Sequence, residues 1–233
     1  IESVKELISN NKNEIAAVFI EPVAGNMGAV IPEMEFMKQL RKITEENGIL
    51  LVIDEVMTGF RKKFGGAQDH FGIAADITCM GKVIGGGMPV GAFTASESMM
   101  DLLSHDPKLG HITTFGGHPV IAAACLATLK EITETNLMAE ALEKEKLFRK
   151  YLKHELIQEV RGKGLMLALI LKEKKITSKL VTKSLEKGLI LFYLLFETKA
   201  VRITPPLTVS DQEIKIGCKI ILEVLDEIKN PVH

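Results

Sequence analysis

Two short apolar runs that each stop abruptly at a charged side chain do most to restrict the fold. Residues 49–53 (ILLVI) end at Asp54, and residues 77–81 (ITCMG) end at Lys82. Uninterrupted runs rich in Ile and Val suit strands buried on both faces of a parallel sheet. In open α/β sheets, ligands collect outside the carboxyl ends of the strands, which is where both charges fall. A carboxylate and an amine on one rim suit a site that holds an electron-poor aromatic nitrogen and forms an adduct with a carbonyl.

The segments around these runs alternate between the two periodicities. Residues 14–21 (EIAAVFIE) read as a strand, broken by Pro22 and the 25–28 loop. Residues 32–47 set Met34, Met37, Leu40 and Ile43 along one helical face, and Asn47-Gly48 makes a helix stop. Strands at 77–80 and 90–95 follow, so the order is βαβ, which implies right-handed parallel crossovers. Pro119 opens a helix to residue 132 with small residues Ala122–Ala124, and 139–154 is a charged helix. Beyond it the pattern changes: a strand over 159–171 bent at Gly162 and Gly164, a helix over 177–187 closed by Gly188, and short strands at 189–192 and 200–203. A final helix spans 210–229, with Ser210 as N-cap ahead of Glu213. The expected fold class is α/β: a mostly parallel sheet in residues 1–140, then a smaller α+β domain in 141–233.

Composition removes several function classes. Lys plus Arg number 29 against 30 Asp plus Glu, a net charge of -1, so nothing points to nucleic acid or an anionic membrane. Cys79, Cys125 and Cys218 are odd in number and widely spaced, unlike a disulfide framework or a zinc site, and a reducing, cytoplasmic setting is expected. The longest apolar run, 165–171, is too short to span a bilayer. The chain opens on Ile1 with no initiator Met or targeting pattern, and it is expected to lack its natural start.

Taken singly, the two charged residues are ambiguous. Lys82 is flanked by Gly81 and Gly85–Gly87, where backbone can approach a ligand, and desolvation would favour a Schiff base; a lone loop lysine is more often simply exposed. A phosphate loop is excluded there, since it needs Gly at 76 and Ser or Thr at 83, and the chain has Asp76 and Val83. Asp54-Glu55 after an apolar strand also suits the magnesium-holding strand of a nucleotide-hydrolysing domain, although no phosphate-cradling loop accompanies it. Asp54 alone is equally a turn or helix cap.

EPVAGNMG (21–28), DEVMTGFR (54–61), GGAQ (65–68), MGKVIGGGMPVGAF (80–93), TTFGGHP (113–119) and RITPPL (202–207) together resemble the class III pyridoxal-phosphate aminotransferases, in order and across nearly the whole chain. The resemblance implies part of the fold type I (aspartate aminotransferase-like) large-domain sheet followed by the small C-terminal domain. It implies pyridoxal 5'-phosphate as cofactor, with Lys82 forming the Schiff base and moving the proton, and Asp54 pairing with the pyridine nitrogen. Val56 would pack on the ring. Thr114 would bind the phosphate of a neighbouring subunit, making a homodimer with shared active sites, though Thr113-Thr114 also suits the first turn of the Pro119 helix. Gln68 is open between polar contact and loop packing. No metal is implied.

Arg202 before PPL is similar to the arginine that clamps an α-carboxylate in the acetylornithine and ornithine branch, and a strand-end surface arginine is its plain alternative. That branch has Gly-Glu where this chain has Gly25-Asn26, and the Glu masks the arginine. GNMG and DEVMTGFR instead resemble glutamate-1-semialdehyde aminomutase, whereas RITPPL and TTFGG lean to transaminases. The expectation is a transaminase acting on a small-molecule amino donor and a 2-oxo acid, with glutamate and 2-oxoglutarate as one pair. The aminomutase is the alternative, and His118 has no assigned role. Because family members are longer at the front, this polypeptide by itself is expected to be inactive, with strands 14–21 and 90–95 as open sheet edges.

Overall fold

The computed structural model describes residues 1–61, 65–105, 108 and 111–230. The chain divides into two compact units: Ile1–Pro22 with Pro32–Thr135, and Val23–Ile31 with everything from Asn136 onward.

The first unit begins with α1 (Glu2–Asn10) and is built on a sheet ordered β1-β2-β3-β4. Its strands are β1 (Ala17–Ile20), β2 (Leu50–Asp54), β3 (Ile77–Gly81) and β4 (Gly91–Ala95). The first three run parallel and β4 returns antiparallel to β3, so the sheet is mostly parallel as the βαβ pattern predicts. Between β1 and β2, α2 (Met34–Glu46) buries Met37 and Leu40, and Leu40 packs with Leu51 and Ile53 of β2. Met34, expected on the same stripe, is exposed. Asp76 pins β2 from the loop before β3: one oxygen accepts from Leu51 N and from the Arg41 guanidinium, each at 2.7 Å. Two-sided burial holds for Leu51, Val52 and Ile53 but not for β3, which is half-buried along Ile77–Met80 because Cys79 and Met80 border a cavity. Short helices α3 (Gly66–Phe71) and α4 (Glu97–Asp101) precede the long α5 (Pro119–Glu134).

In the second unit, α6 (Leu137–Tyr151), α7 (Lys174–Glu186) and α8 (Asp211–Lys229) accompany an antiparallel sheet ordered β5-β6-β8-β7. These strands are β5 (Ile157–Lys163), β6 (Met166–Leu171), β7 (Phe192–Tyr193) and β8 (Ala200–Ile203). Alternate residues of β6 face opposite ways. Leu167, Leu169 and Leu171 join Val201, Ile203, Phe148, Leu180, Ile214 and Leu225 in one core. Ala168 and Ile170 lie with Ala200 and Leu194 on the other face. Each such buried Leu contributes about 1.5–3 kcal/mol. The Ser210–Glu213 capping box opens α8 in both directions: the Ser210 hydroxyl accepts from Glu213 N, and the Glu213 carboxylate accepts from Ser210 N at 2.8 Å.

The expectation for residues 159–171 changes as well. Residues 159–171 form not one bent strand but the β5–β6 hairpin, paired from Ile157↔Leu171 to Lys163↔Met166. Gly162 makes this possible: its φ is 106°, and a Cβ there would overlap the Met166 carbonyl. Val23–Ile31 groups with the C-terminal unit, because Ala29 is buried among Ala168, Ile170, Leu194 and Ala200, and Asn26 O accepts from Phe196 N at 3.1 Å. Local periodicity carries no sign of such a distant partner.

Candidate functional site

β2 and β3 are neighbouring parallel strands, and both end in chemistry. Asp54 closes β2 in register with Cys79, so the two side chains share a face of the sheet. Asp54 is half-buried, and its Oδ1 accepts from Val56 N at 2.9 Å, an Asx-type turn that fixes the carboxylate at the strand end. Its other oxygen has no hydrogen-bond partner among the described residues. Burial, with the Asp54 charge adding to it, pushes the Cys79 thiol upward.

Lys82 follows β3 directly, leads a 3-10 turn over Lys82–Gly85, and is exposed. Its φ of 45° puts a non-glycine residue in the left-handed region, at a cost of about 1–2 kcal/mol. Strain of that kind persists where the surroundings enforce it. Gly81 supplies one such constraint: a Cβ there would lie 3.4 Å and 3.5 Å from the two Val56 methyls and 3.3 Å from Val90 O. Val56 therefore rests against the backbone beside Lys82. The rim thus carries a carboxylate, an apolar side chain and an amine, drawn from two strands.

The adjacent acid has a different task. Glu55 is 2% exposed, and its carboxylate accepts from the Thr58 hydroxyl, from Ala67 N at 3.0 Å and from Gln68 N at 2.7 Å. It ties the β2 end to the start of α3. Gln68 is equally committed: its Nε2 donates to Thr78 Oγ1 at 3.1 Å and its Oε1 accepts from Ala75 N at 3.2 Å. Gln68 packs the loop against β3, which resolves the two readings left open for it. With Glu55 occupied in this way, an Asp54/Glu55 metal-holding pair loses its second carboxylate. The sequence did mark this arrangement, since the GGAQ stretch lets backbone close on Glu55, but nothing local tied it to that acid.

Thr114 is exposed in a turn of its own, residues 114–117, before α5. The first turn of α5 is capped instead by His118, whose Nδ1 accepts from Val120 N at 3.3 Å ahead of Pro119. That gives His118 a structural role and separates Thr113-Thr114 from the helix start. Thr114, Val56 and Cys79 border a common cavity of about 1310 Å³, together with β4 residues and the first turns of α5. Asp54 and Lys82 do not line it.

Arg202 belongs to the second unit, half-buried on β8. Its guanidinium carbon lies 5.4 Å from the centre of the Phe192 ring, and Nε is buried without a hydrogen-bond partner. It borders a mainly apolar cavity of about 380 Å³ with Phe148, Ile203 and Ile214. The candidate residues thus fall into two groups: Asp54, Val56, Lys82 and Thr114 in the first unit, Arg202 in the second.

The chain is 50% identical over 145 residues to a glutamate-1-semialdehyde 2,1-aminomutase of Flavobacterium psychrophilum, covering 62% of this chain and 34% of that protein. It is 38% identical over 203 residues to one from Methanococcus maripaludis, covering 84% and 47%. Among solved structures, an amine transaminase from an uncultivated Pseudomonas species superposes with a TM-score of 0.86 at 27% identity, covering 97% of this chain and 55% of that one. The chain therefore spans about a third to a half of the length of these curated relatives, and its α/β architecture is part of the transaminase fold. The family model for class-III aminotransferases matches residues 1–225, and the chain belongs to that family.

Proposed function

We propose that the protein moves an amino group between an amino donor and a 2-oxo acid, with pyridoxal 5'-phosphate as cofactor. The observation that carries this is the delivery of Asp54 and Lys82 to the same ends of adjacent parallel strands, with Val56 against the backbone between them. The residues fit the group: an acid with one free oxygen, an apolar surface, an accessible amine, and a threonine hydroxyl on an open turn. The Pseudomonas transaminase is described in its PLP-bound form, which supports the same cofactor here.

Pyridoxal phosphate, when bound, supplies a carbonyl for the substrate nitrogen and a protonated ring that withdraws the electrons freed at the substrate Cα. Lys82 would hold the cofactor's carbonyl carbon through its amine and, once the substrate nitrogen has displaced it there, would be the free base that takes the proton from Cα. Asp54 would keep the proton on the ring nitrogen through an ionic hydrogen bond. Val56 would cover a ring face, Thr114 would donate to the phosphate, and Arg202 would hold a substrate carboxylate by its planar fork. A homodimer in which Thr114 serves the neighbouring site, and a cytoplasmic location, belong to the same reading. No helix among the described residues is long and apolar enough to cross a membrane.

The test is visible absorbance of the full-length protein with the cofactor, followed by borohydride trapping and peptide mapping. The adduct should sit on Lys82 and vanish in Lys82→Ala; an adduct elsewhere overturns the assignment. A second reading, the aminomutase, is favoured by the curated relatives. Glutamate-1-semialdehyde offered alone should then rearrange to 5-amino-4-oxopentanoate with no 2-oxo acid consumed. The transaminase reading requires instead that a donor such as glutamate and an acceptor such as 2-oxoglutarate or pyruvate be converted together.

A further inference from the structure

Lys82 is strained and exposed at the junction between β3 and the turn it begins, so where its amine stands depends on what holds that turn. The turn continues into Gly86, at φ 55°, and there it meets α5. A Cβ on Gly86 would overlap the Thr128 hydroxyl and stand 3.3 Å from Ala124 O. Thr128 is itself fixed, its hydroxyl donating to Ala124 O at 2.9 Å, so it offers a rigid surface rather than a side chain able to swing away. On the other side, a Cβ on Gly85 would come within 2.8 Å of Val90 Cγ1. The segment after Lys82 is therefore gripped between β4's approach and the middle of a four-turn helix. No hydrogen bond is needed for this. The constraint is steric contact between a bare backbone and a locked hydroxyl.

We propose that Thr128 is a positioning residue, and that the seating of Gly86 on α5 at Thr128 sets where the Lys82 amine stands. The inference rests on Lys82 being the reactive amine, and it assigns α5 a part in the site that its sequence, apolar and without charge for most of its length, does not suggest. It also brings the Lys82 turn against α5, the helix that follows the Thr114 turn.

The test reads Lys82 without reading catalysis. In the full-length, cofactor-free protein, reductive methylation of each lysine is measured by peptide mass across pH, with exposed Lys42 of α2 as internal reference. Gly86→Ala and Thr128→Leu push the two surfaces apart from opposite sides, and each should shift the Lys82-to-Lys42 labelling ratio away from its wild-type value, since moving the turn changes how far the surrounding backbone shields the amine from the reagent. Gly86→Ala with Thr128→Ala removes the overlapping atom and should restore most of the ratio. An unchanged ratio in either folded single variant, or no recovery in the double variant, overturns the proposal. If Gly86→Ala does not fold, Thr128→Leu, which leaves the left-handed glycine untouched, decides alone. A purely structural contact would lower the melting temperature and leave the ratio alone. Failure of the Lys82 assignment is separate, because it appears as cofactor trapping that survives Lys82→Ala.

Discussion

Each sheet has one strand with a well-buried middle, β2 in the first unit and β6 in the second, yet the two dispose of the rest of their apolar surface in different ways. Around Leu167, Leu169 and Leu171 the second unit folds three helices into one continuous core. Around Leu51, Val52 and Ile53 the first unit gathers α1 and α2 but leaves β1 as an edge, with Phe19 74% exposed. Its longest helix, α5, fully buries Ile132 and leaves Val120 and Leu126 exposed. The unit that carries the amine and the acid is the more open one. Under the proposed function, the strained lysine and the half-satisfied aspartate both belong to the unit with β1 as its exposed edge.

Substitutions can break or sharpen that contrast. The largest effect belongs to the second core: Leu225→Ala should lower stability by about 2–5 kcal/mol, read by urea unfolding with hydrogen exchange of α8 amides. Phe19→Ala in the first unit should stay within about 0.5 kcal/mol by the same measurement, and equal losses would dissolve the distinction. Next comes Asp54→Asn, which should leave the melting temperature in place while cutting amino transfer by the full-length enzyme about a hundredfold or more. Its neighbour should behave oppositely. Glu55→Ala strands Ala67 N and Gln68 N and should cost about 2 kcal/mol of stability, seen as early exchange of α3 amides.

The smallest effect lies at the α8 cap. The Glu213 carboxylate is held below its ordinary 4.5, first by the Ser210 backbone N–H and then by its hydroxyl. A carboxyl whose folded value is depressed contributes above its unfolded value and loses that contribution as pH falls through the folded one. The melting-temperature gap between the wild type and Glu213→Gln should accordingly be full at neutral pH and close in acid below 4.5. A gap that persists there would show that packing, not the carboxylate, carries the cap.

The legible parts of the sequence were those in which cause is local. The apolar runs before Asp54 and Lys82, the Pro119 helix start and the Ser210–Glu213 box each depend on residues within a turn or two. So does a strand ending in charge, which is why Asp54 and Lys82 could be paired before any coordinates. What stayed hidden depends on partners far along the chain. Glu55 is held from α3, Gly86 by Thr128, and Ala29 by strands more than a hundred residues away. The β5–β6 hairpin was missed for another reason: glycines at 162 and 164 signal a break in a strand but not whether the chain bends or reverses.

The excursion of Val23–Ile31 changes what cutting the chain can achieve. The polypeptide passes between its two units three times, at 22/23, 31/32 and 135/136. A protease that nicks only the last junction leaves both products tethered by the early segment. A clone beginning at Asn136 would express a sheet missing the plug that Ala29 supplies, with Ala168, Ile170 and Ala200 bared to water. Anyone wishing to study the C-terminal unit in isolation would do better to graft residues 23–31 onto it than to trim the gene at its apparent boundary.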